Sequence, residues 1–249
     1  MELTIINQPR AFPYRRRYKV AKRLMDVVIC LLALPVILPV MAICALAILL
    51  DSPGPVLFVQ ERIGKGGRPF RMYKFRTMCH DLDDSFHRTF MKAFVNGQIG
   101  SDGNGGHDSN SFLRMPLKES VGTSFGSNGN GKVYKPVQSS QVTRVGRILR
   151  KTSLDELPQI LNVLKGEMSL VGPRPNVVWE VEAYRSWHHE RLEVLPGITG
   201  LAQVRGRSSI SFDHIVRIDI EYVEKQSLAL DLKILWWTFV TVFHGTAAE

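Results

Sequence analysis

From Val27 to Leu50 the chain runs twenty-four residues without a charge. As a helix rising about 1.5 Å per residue, such a run reaches across a bilayer, so it predicts a membrane-embedded segment. The run is too long for the apolar region of a cleaved signal peptide, and no small-residue cleavage site with a polar flank follows it. Pro35 and Pro39 sit near its middle, where each removes a backbone donor and bends a helix. Beyond it, Val56 to Gln60 and Pro69 to Phe75 mix apolar, aromatic and polar residues between two turn signals, Asp51-Ser52-Pro53-Gly54-Pro55 and Gly64-Lys65-Gly66-Gly67. That pattern predicts a short hairpin of strands. From about Cys79 to Ser140 the periodicity breaks down, and residues 97–131 hold nine of the twenty glycines, which predicts a flexible insertion. No G-x-x-x-x-G-K-[ST] pattern or strand-to-helix context makes a phosphate cradle of those glycines.

Order returns at Val142. Arg144, Arg147, Arg150 and Lys151 fall at helical spacing around Val145, Ile148 and Leu149, an amphipathic basic helix. Leu157, Ile160, Leu161 and Leu164 give a second helical face, with Lys165 and Gly166 as its stop. Near the end, Leu232 to Phe243 combines Trp236, Trp237, Phe239 and Phe243 with one charge, Lys233. Tryptophan favours the headgroup zone, so the segment reads as an interfacial helix, with an ordinary core helix as the alternative.

Charge narrows the picture. The formal net charge of +9 calls for an anionic partner, whether nucleic acid, lipid headgroups or a phosphorylated substrate. Its placement matters more. Arg15, Arg16, Arg17, Lys19, Lys22 and Arg23 precede the apolar run, and Arg62, Lys65, Arg68, Arg71, Lys74 and Arg76 follow it. The positive-inside rule holds both flanks in the cytoplasm, which a spanning helix cannot satisfy. A re-entrant hairpin satisfies it, and a proline-kinked spanning anchor is the rival. Three cysteines, Cys30 and Cys44 in the apolar run and Cys79 alone, give neither a disulfide framework nor a zinc spacing and fit a reducing, cytoplasm-facing protein. With 249 residues the chain has room for one compact domain plus a membrane segment.

Candidate chemistry gathers at the adjacent acids Asp155 and Glu156, within Arg150-Lys151-Thr152-Ser153-Leu154-Asp155-Glu156-Leu157-Pro158. Pro158 prefers a first helical turn, so the pair lies at a helix start. There the helix dipole, Arg150 and Lys151 favour ionised carboxylates, fit to attack phosphorus or bind a divalent metal. Ser153-x-x-Glu156 also matches a capping box, a purely structural reading. Gly172-Pro173-Arg174-Pro175 pins an arginine between prolines, which suits a preorganised bidentate phosphate contact. Pro196 to Arg207 reads as a turn, a short strand and two arginines, Arg205 and Arg207, and for both segments an ordinary solvated loop is the alternative.

Taken in order, Lys22-Arg23-Leu24-Met25-Asp26, Gly54 to Phe58, Gln60-Glu61-Arg62-Ile63-Gly64, Lys74-Phe75-Arg76-Thr77-Met78, Ser153 to Gln159, Gly172 to Pro175 and Pro196 to Leu201 resemble the bacterial sugar transferase family, the monotopic phosphoglycosyl transferases. The resemblance covers residues 19–78 and 140–243. It implies an α+β, mainly helical, membrane-associated domain with a re-entrant N-terminal helical hairpin broken at Pro35, short strands and amphipathic interfacial helices. The expected divisions are a basic segment 1–23, the hairpin 24–50, a catalytic domain 51–243 with the insertion 79–140, and a tail 244–249.

The resemblance also implies a two-step reaction. Asp155 attacks the sugar-proximal phosphate of a UDP-sugar, expels UMP and holds a phosphosugar, which a polyprenol phosphate then takes. Glu156 would hold Mg²⁺ on the diphosphate, and the expected substrate-binding set is Arg150, Arg174, Pro173, Pro175, Arg207, Lys74 and Arg76. Expected partners are the UDP-sugar, polyprenol phosphate, membrane lipids, a second copy of the chain and downstream glycosyltransferases, with no nucleic acid. The expected location is the bacterial inner membrane, the catalytic domain on its cytoplasmic face. Two departures stand out: the long Gly-rich insertion, and Arg205 where many members carry Asn before Gly-Arg. With no extra membrane region in front, the chain resembles a minimal catalytic form. The rival functions are a membrane-tethered nucleic-acid binder, against which the basic residues form no single stripe with interleaved aromatics, and a metal-dependent phosphohydrolase using the same acids.

Overall fold

The structure, a computed structural model, describes residues 16–78, 95, 142–205 and 211–243. Arg15, Cys79, Arg207, the tail and all of the insertion except Val95 fall outside the described residues.

Helix α1 (Arg16–Asp51) carries the apolar run as one continuous helix through Pro35 and Pro39, so the expected division into a hairpin at Pro35 is not seen: each proline removes one backbone donor without ending the helix. It is the one helix among the described residues long and apolar enough to cross a membrane. Most of its apolar surface faces outward, with Leu32 76% and Leu50 80% exposed. Uncovered leucine on this scale matches lipid rather than water. Its narrow buried face docks on the rest of the molecule at both ends. Near the start, Tyr18 Oη and Lys22 Nζ donate to Asp231 Oδ2 at 2.8 and 3.0 Å, and Arg23 Nη2 donates to Leu164 O at 2.7 Å. Ser169 Oγ donates to Asp26 Oδ2 at 2.7 Å. At the far end, Asp51 Oδ2 accepts from Val145 N at 3.0 Å.

The expected hairpin forms, with β1 (Leu57–Ile63) running three residues past the expected strand end and pairing antiparallel with β2 (Pro69–Phe75). Helix α2 (Arg144–Thr152) is the basic amphipathic element, capped by the Thr143 side chain on Gly146 N at 2.9 Å. A 3-10 turn (Leu154–Gln159) feeds α3 (Ile160–Lys165), which stops at Gly166 in the left-handed region, φ 84°. Strand β3 (Ser169–Val171) pairs in parallel with β4 (Gly197–Thr199), and between them lie α4 (Val178–Val181) and a 3-10 stretch (Ser186–Glu193). After β4, a short helix α5 (Leu201–Arg205) takes the place of continued strand. Helices α6 (Phe212–Lys225) and α7 (Leu228–Phe243) close the described chain.

Two apolar clusters seat α1. Cys30 packs with Met72, Ile160, Val163 and Met168, and Cys44 and Ile48 pack with Phe75 and Leu149. A third joins Val171, Leu201, Ile218, Tyr222 and Ile234 beneath α6 and α7. Helix α7 combines both sequence readings: Ile234 is buried, whereas Leu232, Trp236 and Phe239 are exposed along one stripe.

Candidate active site

The acidic pair owes its position to one residue. Ser153 ends α2 in the left-handed conformation, φ 57° and ψ 17°, the one non-glycine residue with positive φ among the described residues. This reversal swings the chain into the 3-10 turn, with Asp155 and Glu156 in its first turn. The capping box allowed by Ser153-x-x-Glu156 does not form, because the Ser153 side chain makes no capping bond. The Glu156 carboxylate turns away to basic side chains instead. Lys74 Nζ on β2 donates to Glu156 Oε1 at 2.8 Å, and Arg174 Nη1 donates to the same oxygen at 3.2 Å.

The arginine is presented by a tightly held loop. Gly172 N donates to Thr199 O and Gly197 N to Pro173 O, each at 2.9 Å. Side chains are excluded from this crossing: a Cβ on Gly197 would fall 2.1 Å from Gly172 N. Beyond it, Arg191 Nη2 donates to Arg174 O at 3.1 Å and Arg62 Nη1 to Pro175 O at 3.2 Å. Arg191 is in turn buried against Asp219 of α6, with 2.5 Å between Nη2 and Oδ2. The carbonyls of Arg174 and Pro175 are thus each fixed by a guanidinium, leaving the Arg174 side chain aimed at Glu156.

Electrostatics separates the two acids. Burial alone would raise the Glu156 carboxyl, but Arg174 and Lys74 outweigh it and bring it down to about 2. Asp155 moves the other way: burial and the neighbouring Glu156 push its carboxyl above the ordinary value, against the pull of Lys74, Arg174 and Arg150. Glu156 is thus favoured as the ion, but by Arg174 and Lys74 rather than by the expected helix start, Arg150 and Lys151, while at Asp155 desolvation dominates. Burial, with the charge of Arg174, also lowers the Lys74 ammonium. No described residue donates a hydrogen bond to the Asp155 carboxylate.

Of the expected site residues, the structure brings together Asp155, Glu156, Lys74 and Arg174, with Pro173 and Pro175 as the buried frame of the Arg174 loop. Arg150 is exposed at the end of α2, its charge reaching Asp155 without a hydrogen bond. Arg76 is placed elsewhere. Its buried guanidinium donates to the Ser52 carbonyl at 2.7 Å and to the Pro53 carbonyl at 2.5 Å, locking the exit of α1. Arg207 lies outside the described residues, and Arg205 pairs with Glu221 at 2.7 Å. Sequence reasoning missed Arg62 and Arg191. The available signal for Arg62 was its place two residues from Gln60 in a strand, which puts both on one face, where Arg62 Nη2 donates to Gln60 Oε1 at 2.6 Å.

The acids fit Mg²⁺ as one corner of a site that substrate completes. The two cations occupy Glu156 Oε1, Oε2 and the Asp155 carboxylate accept no hydrogen bond from a described residue, and no cluster of three ligands stands ready among the described residues. Mg²⁺ is commonly held in this way, by one or two carboxylates together with substrate phosphates.

The described residues thus combine an exposed apolar helix with a cleft that holds adjacent acids and fixed cations. The family model described as bacterial sugar transferase matches residues 17–245, and the chain belongs to that family. It is 35% identical over 95% of its length to the galactosyl transferase CpsE of Streptococcus agalactiae serotype III, covering 45% of that protein. It is 39% identical over 86% of its length to the UDP-glucose:undecaprenyl-phosphate glucose-1-phosphate transferase of Caulobacter vibrioides, covering 66% of it. It is 34% identical over 90% of its length to the exopolysaccharide production protein ExoY of Sinorhizobium fredii, covering 85% of it. The chain thus spans less than half of the streptococcal relative and two thirds of the Caulobacter one.

Proposed function

We propose that the chain transfers a sugar phosphate from a UDP-sugar to a polyprenol phosphate, as the names of its relatives describe for undecaprenyl phosphate. One observation carries this reading: of two adjacent acids, Glu156 takes both fixed cations and leaves Asp155 without a hydrogen-bond donor or ion pair among the described residues. In the first step an Asp155 carboxylate oxygen bonds to the sugar-proximal phosphorus as the bond from that phosphorus to the bridging oxygen breaks, and UMP departs with that oxygen. In the second, a phosphate oxygen of the lipid attacks the same phosphorus, Asp155 leaves as a carboxylate, and a polyprenyl diphosphosugar forms. Burial supports the role, since a desolvated carboxylate is a stronger nucleophile than a hydrated one. Arg174 and Lys74 would bind phosphate oxygens, with Arg150 at the rim. Mg²⁺ held by Glu156 and the diphosphate would supply Lewis-acid neutralisation of the leaving phosphate.

The docking of both ends of α1 onto one body supports a re-entrant segment that returns to the cytoplasmic face. Such a segment would hold the acids at headgroup depth, where a lipid phosphate and a soluble nucleotide sugar meet. The test is UMP release by protein in detergent, with a panel of UDP-sugars, Mg²⁺ and a polyprenol phosphate. Wild type should release UMP and label the lipid, and Asp155→Asn should do neither. Full activity in Asp155→Asn would sink the covalent step, and free sugar phosphate made without lipid acceptor would mark a hydrolase instead.

A further inference from the structure

We propose that Arg62 is a third cation of the phosphate-binding cleft, selecting a donor that carries a diphosphate; the proposal deepens the transferase reading above and rests on it. Arg62 lines the cleft with Lys74, Gln159, Arg174 and Pro175. Its two hydrogen bonds go to neutral acceptors, Pro175 O at 3.2 Å and Gln60 Oε1 at 2.6 Å. No carboxylate among the described residues forms an ion pair with it, whereas Lys74 and Arg174 both pair with Glu156.

A guanidinium offers five N–H donors in a planar fork. Here Nε–H is buried without a partner, and the second hydrogens of Nη1 and Nη2 remain available. A charge removed from water with no ion-pair partner, only the more distant Glu180 and Glu156, is costly, and native structures retain it where something else supplies the charge. The neighbours make the imbalance plain: burial and the adjacent Arg174 together lower the Arg62 guanidinium to about 10. Three cations, Arg62, Lys74 and Arg174, stand against two carboxylates, Glu156, which is already engaged, and Asp155, so the cleft keeps a positive excess for an anion. Phosphate oxygens are the shared chemistry, and they come from the nucleotide diphosphate or from the lipid monophosphate. Three cations spread over the cleft suit two linked phosphates better than one. Arg62 also holds the Pro175 carbonyl, so an anion drawn to it meets Arg174 already in place.

The experiment measures UMP release by wild type, Arg62→Gln and Arg62→Lys, with donor and lipid acceptor varied separately, and UDP and UMP as competitors. For Arg62→Gln the donor KM should rise about tenfold or more and UDP should compete correspondingly less well, with acceptor KM unchanged and UMP affected less. Arg62→Lys, which keeps the charge without the fork, should fall between; if the Gln variant fails to fold, the Lys variant carries the test through its donor KM. An unchanged donor KM would overturn the proposal, as would an equal rise in both KM values, the mark of a structural role. A rise in acceptor KM alone would assign the seat to the lipid phosphate and overturn it too. Wild type that neither releases UMP nor binds UDP would remove the transferase reading itself. Wild type that does both, beside Arg62 variants with an unaltered donor KM, would remove only the role of Arg62.

Discussion

Lys74 Nζ lies 2.8 Å from Glu156 Oε1, joining the second strand of the hairpin to the 3-10 turn that carries the acids. The contact fixes which acid is tied and which is free. With Arg174 on the same oxygen, Glu156 is held ionised, and Asp155 is left to the cleft.

Replacing Glu156 with Gln should change both activity and acid stability. Removing the carboxylate strands Lys74 and, on the proposed reading, takes away the oxygen that would hold Mg²⁺, so UMP release should fall about 100-fold or more. The pH effect follows from the direction of the shift. The Glu156 carboxyl is depressed from 4.5 to about 2, so its stabilisation is fully present above pH 4.5 and is lost as pH falls toward 2. Chemical denaturation of wild type should therefore show a loss on the order of 1–3 kcal/mol across that window that Glu156→Gln lacks. An identical acid limb in the two proteins would refute the assignment.

Ser153 makes a separate prediction about stability. Its left-handed backbone, φ 57°, costs a side-chain-bearing residue on the order of 1 kcal/mol, and its hydroxyl makes no capping bond in return. Ser153→Gly should raise Tm slightly and keep activity. Ser153→Val should lower Tm and disturb the acids that follow, which a drop in UMP release at permissive temperature would report.

Much of this was legible in the chain because it is local. An uncharged run, a hairpin between two turn signals and a basic helical stripe each declare themselves within about a dozen residues, and α1, β1, β2 and α2 follow those patterns. Asp155, Glu156 and Arg174 stood out because adjacent acids in a basic region and an arginine between prolines are locally odd. What failed was decided by distant residues. Ser153-x-x-Glu156 is a sound capping pattern, but Lys74 and Arg174 compete for the carboxylate and win. Arg76 looked available for substrate until the loop after α1 folded back onto it. Asn162, fully buried, donates to Arg71 O at 2.7 Å and accepts from Tyr73 N at 3.1 Å, and nothing in its neighbours announces that it ties α3 to β2.

Asp231 is a second such residue, and it bears on how α1 is held. Its side chain is fully buried, accepting from Lys22, Tyr18 and Tyr222. Asp231→Ala would leave the nearly buried Lys22 ammonium without its ion-pair partner and take one acceptor each from Tyr18 and Tyr222, the latter keeping the Val171 carbonyl at 3.1 Å. The loss should be about 3–5 kcal/mol, seen as a lower Tm in detergent. Asp231→Asn, which keeps acceptors but no charge, should fall between. A wild-type Tm in Asp231→Ala would mean that the cluster contributes nothing to the seating of α1.

The proposed re-entrant course of α1 rests on where its ends are tied. Lys22 is bound to α7 and Asp51 to the start of α2, so both ends of a helix coated in exposed leucine meet one polar body. A helix that crossed the bilayer would carry one of those ends to the far side and strip it of these partners, leaving Asp231 and Lys22 charged in the wrong phase. The expected outcome is therefore one-sided accessibility. With Cys30, Cys44 and Cys79 replaced by Ala, single cysteines at Arg17 and Arg68, one before the apolar run and one after it, should both be shielded from a membrane-impermeant maleimide in intact cells. Both should react once the inner membrane is opened. Labelling of one position and not the other in intact cells would put the ends on opposite faces and remove the re-entrant arrangement, whatever the fate of the chemistry at Asp155.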